Sequence, residues 1–196
     1  MIVTGVVLAA GSSSRLGQPK QLLPFRGTTL LGATLDLARR CNFSQLLVTV
    51  GGAAADVMTA IDFTGAQVVD NPDFGSGCGS SISAAIARVD EASDGLVLML
   101  GDQPGVSVEA VGRLIDEAGT AQVAVCSYVN GRGHPFWFAR SVFDDLSTLH
   151  GDKAVWKVLE SGRYSVTEVS IETAEPIDVD TWADYEALLA ANGVPS

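Results

Sequence analysis

The residues best suited to chemistry lie in one stretch, Leu8-Ala9-Ala10-Gly11-Ser12-Ser13-Ser14-Arg15-Leu16-Gly17-Gln18-Pro19-Lys20. A glycine placed directly after an apolar run lets the backbone turn so that successive N–H groups face one point, and three serines add hydroxyl donors without bulk. Such a concavity suits phosphate oxygens. Arg15 and Lys20, two of only 12 basic residues, add cationic donors to the same group. The competing reading is a serine-rich surface turn with a solvated arginine and an exposed loop lysine. The spacing does not fit the P-loop pattern G-x-x-x-x-G-K-[ST], and no G-x-G-x-x-G occurs.

Two further groups carry chemistry. Asp102, in Leu100-Gly101-Asp102-Gln103-Pro104, follows an apolar run. A carboxylate at the end of a strand suits Mg²⁺, a hard ion that takes one or two carboxylates together with phosphate oxygens and water. An Asp-x-Pro sequence is equally a turn cap. Between the two groups, Asn71-Pro72-Asp73-Phe74-Gly75-Ser76-Gly77-Cys78-Gly79-Ser80-Ser81-Ile82 is rich in small residues that would let a flat base approach the backbone, or it is an ordinary loop.

Positioning these groups requires a scaffold. Val3–Ala10, Gln45–Val50, Gln67–Val69, Gly95–Leu100 and Gln122–Tyr128 are short apolar runs of the kind that parallel sheets bury on both faces. Helices fit between them: one capped by Thr28 or Thr29 and ending near Cys41, one from Ser80 or Ser81 through Val89, one from Ser107 through Ala118, and a last one from Thr181 through Ala191. The expected fold is α/β, an open, mostly parallel Rossmann-like sheet with helices on both faces and its ligands beyond the carboxyl ends of the strands. Past residue 130, Pro135–Phe138 and Tyr164–Ser170 read as strands, and Ser141–Leu149 and Asp152–Glu160 as helices. The expectation is a single domain over 1–196, with a nucleotide-binding half at 1–130 and acceptor-side elements at 131–196.

Composition excludes several classes. A formal charge of −11 argues against nonspecific nucleic-acid binding, which needs a basic surface to displace phosphate counterions. No apolar run approaches a membrane span of about 18 residues. The apolar N-terminus lacks the cationic segment of an export signal and reads as a buried strand. Three widely spaced cysteines support neither a disulfide framework nor a zinc site. A cytoplasmic location is expected.

The first loop matches L-A-[AG]-G-x-[SG]-x-R-[LMF]-G-x-x-K and resembles the signature of the MobA-like nucleotidyltransferases. The resemblance implies a fold of the nucleotide-diphospho-sugar transferase type whose loop (Leu8, Ala9, Ala10, Gly11, Ser12 and Ser13) wraps a triphosphate, with Arg15 and Lys20 on its phosphates. It makes Asp102 of the L-G-D-x-P element a metal ligand and, through Asp178-Val179-Asp180-Thr181, Asp180 the second one, with Asp180 or Thr181 as a plain helix cap the alternative. Trp182 and Ala183 stand where the family pattern carries Pro and Glu. The second loop is similar to N-x-x-[WF]-x-x-G-x-x-x-S-[LI] of the molybdopterin cytidylyltransferases, through Asn71, Phe74, Gly77, Ser81 and Ile82. Ala10 in place of a second glycine points to the same branch.

Gly131–Phe138 is similar to the family's G-x-P-x-x-[FL] strand, which makes Arg132 and His134 candidates for the acceptor. Leu149-His150-Gly151-Asp152-Lys153-Ala154-Val155-Trp156 begins like L-x-G-D-x-G-A-R and then departs: Ala154 replaces the glycine and Trp156 the arginine, so that Lys153 or Lys157 would take over the arginine's role. The expected activity is Mg²⁺-dependent transfer of a nucleoside monophosphate from a nucleoside triphosphate, CTP favoured, to a phosphorylated acceptor such as molybdopterin, with a molybdoenzyme as recipient of the product. The alternatives are a guanylyltransferase, a transferase for another phosphorylated acceptor, and a non-catalytic delivery module. A dinucleotide-dependent oxidoreductase lacks its glycine fingerprint.

Overall fold

The apolar runs form the interior of one sheet, and residues 1–193 are described in the computed structural model, which leaves the last three residues of the 1–196 unit outside it. In chain order the elements are β1 (Val3–Leu8), a small hairpin of β2 (Pro24–Phe25) and β3 (Thr28–Thr29), α1 (Leu30–Arg39), β4 (Gln45–Val50), α2 (Ala54–Ala60), β5 (Gln67–Asp70), α3 (Cys78–Ile86), β6 (Gly95–Leu100), α4 (Val108–Ala118), β7 (Val123–Tyr128), β8 (Gly131–Ala139), α5 (Phe143–Ser147), α6 (Ala154–Glu160), β9 (Val166–Ile171) and α7 (Trp182–Ala191). The seven-stranded sheet has the order β5-β4-β1-β6-β8-β7-β9. Four neighbouring pairs are parallel and the two made by β8 are antiparallel.

Successive strand residues point to opposite faces, and here both faces are covered. Val7, Val48, Met99 and Trp137 pack with Leu35 of α1, Val57 of α2 and Leu114 of α4. Their neighbours Val6, Leu47, Leu98 and Phe136 face the other way, onto Ile82 of α3, Leu146 of α5 and Val155 of α6. A third cluster joins Leu188 and Leu189 of α7 and Val179 to Leu16, Phe25 and Leu30. This cluster lays the C-terminal segment against the loop that follows β1.

The caps explain the helix starts. Thr29 accepts a hydrogen bond from the Gly32 N–H at 3.0 Å, and Ser107 accepts one from Ala110 at 3.0 Å. Thr181 forms a capping box with Asp184, donating its N–H to the Asp184 carboxylate at 2.7 Å. Asp184 thus supplies the reciprocal acceptor, and α7 starts at Trp182 without the family's Pro and Glu. Helix α3 starts at Cys78, earlier than expected, because Ser80 sits inside the first turn and donates back to the Gly77 carbonyl at 2.9 Å. Two elements carry little sequence signal: α2 has no side-chain cap and buries only Val57, and the β2–β3 hairpin turns through Arg26 and Gly27 at φ 48° and 79°.

Strand β8 is longer than expected and lies in the sheet interior despite Pro135, which has no N–H to donate. The ladder tolerates it through a bulge. Val125 of β7 pairs with Phe136 and Cys126 with Gly133, so His134 and Pro135 have no partner on β7, and the pairing of β8 with β6 ends at Phe136. The bulge places His134 at the edge of the cleft, a common use of such irregularities beside functional sites. No helix among the described residues is long and apolar enough to cross a membrane.

Candidate functional site

A cleft of about 630 Å³ opens at the carboxyl ends of β1 and β6. Its first wall is the loop after β1, from Leu8 to Arg15, and its floor includes Asp102. The loop is shaped from within by Gln21, a residue 3% exposed whose side chain donates to the carbonyls of Ala9 (2.7 Å) and Gly11 (3.0 Å). Ser13 takes the left-handed conformation, φ 53°, and its hydroxyl accepts from the Lys20 N–H at 2.9 Å and donates to Gln21 at 3.4 Å. The left-handed residue of the loop is thus Ser13, which lines the cleft while its hydroxyl braces the loop. Gln21 carried no sequence signal of this role, since its partners are backbone carbonyls.

Across the floor, Lys20 holds two carboxylates at once. Its Nζ pairs with Asp102 and, at 2.7 Å, with Oδ1 of Asp180, while Arg15 Nη2 meets Oδ2 of Asp180 at 2.7 Å. Lys20 is therefore no exposed loop lysine: its side chain is 13% exposed. Burial lowers its pKa, but the Asp102 and Asp180 carboxylates outweigh that and leave it above the ordinary lysine value. Asp180 titrates below the usual range, because Lys20 and Arg15 overcome its partial burial. For Asp102 burial dominates and holds its carboxyl above the usual range, with Asp178 and Asp180 adding to the effect against the pull of Lys20.

Neither aspartate serves as a helix cap. Ser107 caps α4 and Thr181 caps α7, and Asp102 Oδ1 is buried without any hydrogen-bond partner. A buried carboxylate oxygen left open beside a phosphate-type loop fits a divalent cation, which would complete its shell with Asp180, phosphate oxygens and water. Among the described residues no three His, Cys, Asp or Glu side chains form a ready metal cage.

The opposite wall is built from the loop after β5. Gly77, at φ 98°, packs so closely on the 151–152 turn that an added Cβ would lie 2.6 Å from the Gly151 carbonyl carbon. The Gly79 N–H donates to the same residue's carbonyl at 3.2 Å. Gly77 and Ser81 line the cleft. Asn71 does not: it is 2% exposed, and its amide donates to the Ser80 and Ser81 hydroxyls at 2.9 Å each. It positions the loop, because a buried amide must satisfy its donors locally.

Of the three residues expected on the acceptor side, the structure brings only His134 to the cleft. Arg132 points to the sheet surface, where it pairs with Glu168. Lys153 precedes the first turn of α6, exposed and outside the cleft lining, because that helix turns Val155 and Trp156 inward instead. Trp156 was visible in the sequence only as the residue standing where the family pattern has arginine.

Burial drives the His134 pKa down to about 3. The ring is thus neutral in the folded state at physiological pH, too weak a base for proton removal. The unfolded chain binds this proton near pH 6.5 and the folded chain does not, so the linkage lowers stability as pH falls below about 6.5, by about 1 kcal/mol at pH 5.5. Urea titrations at pH 7 and 5.5 are expected to show this loss, and the same pair on His134→Gln to show a smaller one. An equal pH dependence in both proteins would mean that His134 is not the group responsible.

Known proteins resemble this chain over most of its length. Residues 5–168 match the family described as the MobA-like NTP transferase domain. A protein named nicotine blue oxidoreductase, from Paenarthrobacter nicotinovorans, is 36% identical over 95% of this chain and 96% of its own length. The crystal structure of a homologue of Rv0371c from Mycobacterium sp. strain JC1 superposes with a TM-score of 0.91 at 54% identity, covering 96% of each chain. Rv0371c of Mycobacterium tuberculosis H37Rv, solved as a complex with manganese, does so with a TM-score of 0.89 at 50% identity, covering 97% of this chain and all of that one. With the matched region spanning both the glycine-rich loop and the Asp102 turn, the chain belongs to the MobA-like NTP transferase family.

Proposed function

We propose that this protein is a cytoplasmic Mg²⁺-dependent cytidylyltransferase that moves CMP from CTP onto the phosphate of molybdopterin. The observation that carries the reading is the Asp102–Lys20–Asp180 chain of charges, set against the loop after β1 with one oxygen of Asp102 unpartnered. Arg15 and Lys20 supply the cationic donors for the triphosphate, for which they would exchange their bonds to Asp180. Asp102 and Asp180 would hold the divalent ion, which supplies charge neutralisation at the reacting phosphates when bound.

In the proposed reaction an acceptor phosphate oxygen attacks the α-phosphorus of CTP. A new P–O bond forms, the bond to the oxygen bridging the α- and β-phosphorus breaks, and pyrophosphate leaves with that electron pair. The attacking oxygen is already ionised at neutral pH, so orientation and charge stabilisation matter more than a base. A neutral His134 is consistent with that requirement.

A second reading comes from the relative named nicotine blue oxidoreductase, which is 36% identical. Pyrophosphate release separates the two readings. Incubation with molybdopterin, Mg²⁺ and each nucleoside triphosphate in turn is expected to release pyrophosphate, fastest with CTP, and to give a product heavier by CMP. GTP used as well as CTP would overturn the branch assignment. Saturable nucleotide binding without turnover would favour a delivery module, and, in a parallel assay, reduction of added nicotine blue by NADH or NADPH, which gives up the two electrons, without pyrophosphate release from nucleoside triphosphates would favour the oxidoreductase.

A further inference from the structure

The cleft has a direction set by the strand order. The loop after β1 is backed, over the end of β4, by Phe74, so close that a Cβ on Gly51 would lie 2.7 Å from that of Phe74. Asp102 stands next, after β6. Beyond it come His134 on β8 and Trp156 on α6, both in the cleft lining.

Phe136, fully buried, anchors this far end. It meets the His134 ring at 4.4 Å and 76° and the Trp156 ring at 5.5 Å and 88°. Edge-to-face contact with a buried ring holds both side chains in place. Trp156 remains half-buried and is free to offer indole surface to a ligand. Among the described residues lining the cleft, Arg15 and Lys20 are the basic ones, and both sit on the side of the glycine-rich loop. The far end presents Asp152, Val155, Trp156 and an uncharged His134. Nothing there matches a second anionic group. A flat, uncharged ring with N–H donors matches both the indole and the Asp152 carboxylate.

We propose that Trp156 is the residue that selects the acceptor: it stacks on the acceptor's planar nitrogen heterocycle, whose N–H edge faces Asp152, while the acceptor's phosphate lies toward Asp102. This rests on the nucleotidyl-transfer reading of the same cleft and adds the residue that reads the acceptor. The position is the one at which the family pattern carries arginine, so this chain presents an indole where that pattern presents a charge.

The test is steady-state kinetics with CTP and molybdopterin on wild type, Trp156→Phe and Trp156→Ala. The alanine variant is expected to raise the acceptor KM roughly 10- to 100-fold, the range that loss of one base-aromatic stack gives, with the KM for CTP unchanged. Phenylalanine should restore most of the loss, and the unaltered CTP value reports that the variants are folded. Neopterin, a pterin without phosphate, should compete with molybdopterin in wild type and lose that effect in Trp156→Ala, whereas ribose 5-phosphate should not compete. An unchanged acceptor KM in Trp156→Ala, or a rise in the CTP KM in its place, would overturn the proposal. If wild type releases no pyrophosphate with any nucleotide, the transferase reading fails separately. Calorimetric binding of neopterin then still decides the platform: loss in Trp156→Ala supports it and equal binding refutes it.

Discussion

Lys20→Ala is expected to lower turnover by about 10²–10³-fold, the usual cost of one preorganised donor to developing charge. It is also expected to destabilise the fold, which the exposed lysine anticipated from sequence would not do. Lys20 pairs with Asp102 and Asp180 from a largely buried position, so its loss strands the Asp102 carboxylate in a low-dielectric site. Breaking such a pair costs on the order of 3 kcal/mol near neutral pH. The penalty should shrink as pH falls, because Asp102 already titrates above the usual carboxylate range and can take up a proton. Turnover together with urea unfolding at pH 7.5 and 5.5 checks both halves. Adding Asp102→Asn to Lys20→Ala should recover part of the stability and none of the activity. Near-normal turnover in a folded Lys20→Ala protein would remove the lysine from the mechanism.

The second large effect concerns the two aspartates, which stand 78 residues apart in the chain and converge on one lysine. If both ligate the metal, Asp102→Asn and Asp180→Asn should each raise the Mg²⁺ concentration needed for half-maximal activity and depress the maximal rate, since an amide oxygen is the weaker ligand. The double variant should lose less than the product of the single losses, as groups acting together do. Asn caps helices about as well as Asp, so a capping role predicts no change in metal dependence. With Thr181 and Asp184 making the α7 cap, Asp180 has no such role in the structure. A Mg²⁺ titration of activity for wild type and the three variants decides. Unchanged half-saturation in Asp102→Asn would sink the metal assignment, and an effect confined to Asp102 would move the second role to Asp178, which also lines the cleft, or to water.

What the chain alone made legible was local structure and, through the alternation of strand and helix segments, the open, mostly parallel sheet. Strands β1, β4, β5, β6 and β7 were readable because a strand buried on both faces is a short unbroken apolar run, and Thr29, Ser107 and Thr181 because a cap acts on N–H groups two or three residues away. The glycine-rich loop and the Asp102 turn were legible for the same reason, each being a contiguous motif at a strand end. Tertiary structure decided which side chains meet. Packing of Leu188 and Leu189 on Leu16 and Leu30 brings Asp180 to Lys20 across 160 positions, and no local pattern encodes that contact. A bulge in β8 delivers His134 to the cleft while Arg132, two residues earlier, stays on the surface with Glu168. The facing of α6 puts Trp156 in the cleft and Lys153 outside it. Periodicity and capping depend on near neighbours, whereas which side chains share a cleft depends on register, bulges and helix rotation, which become definite only once the sheet is assembled.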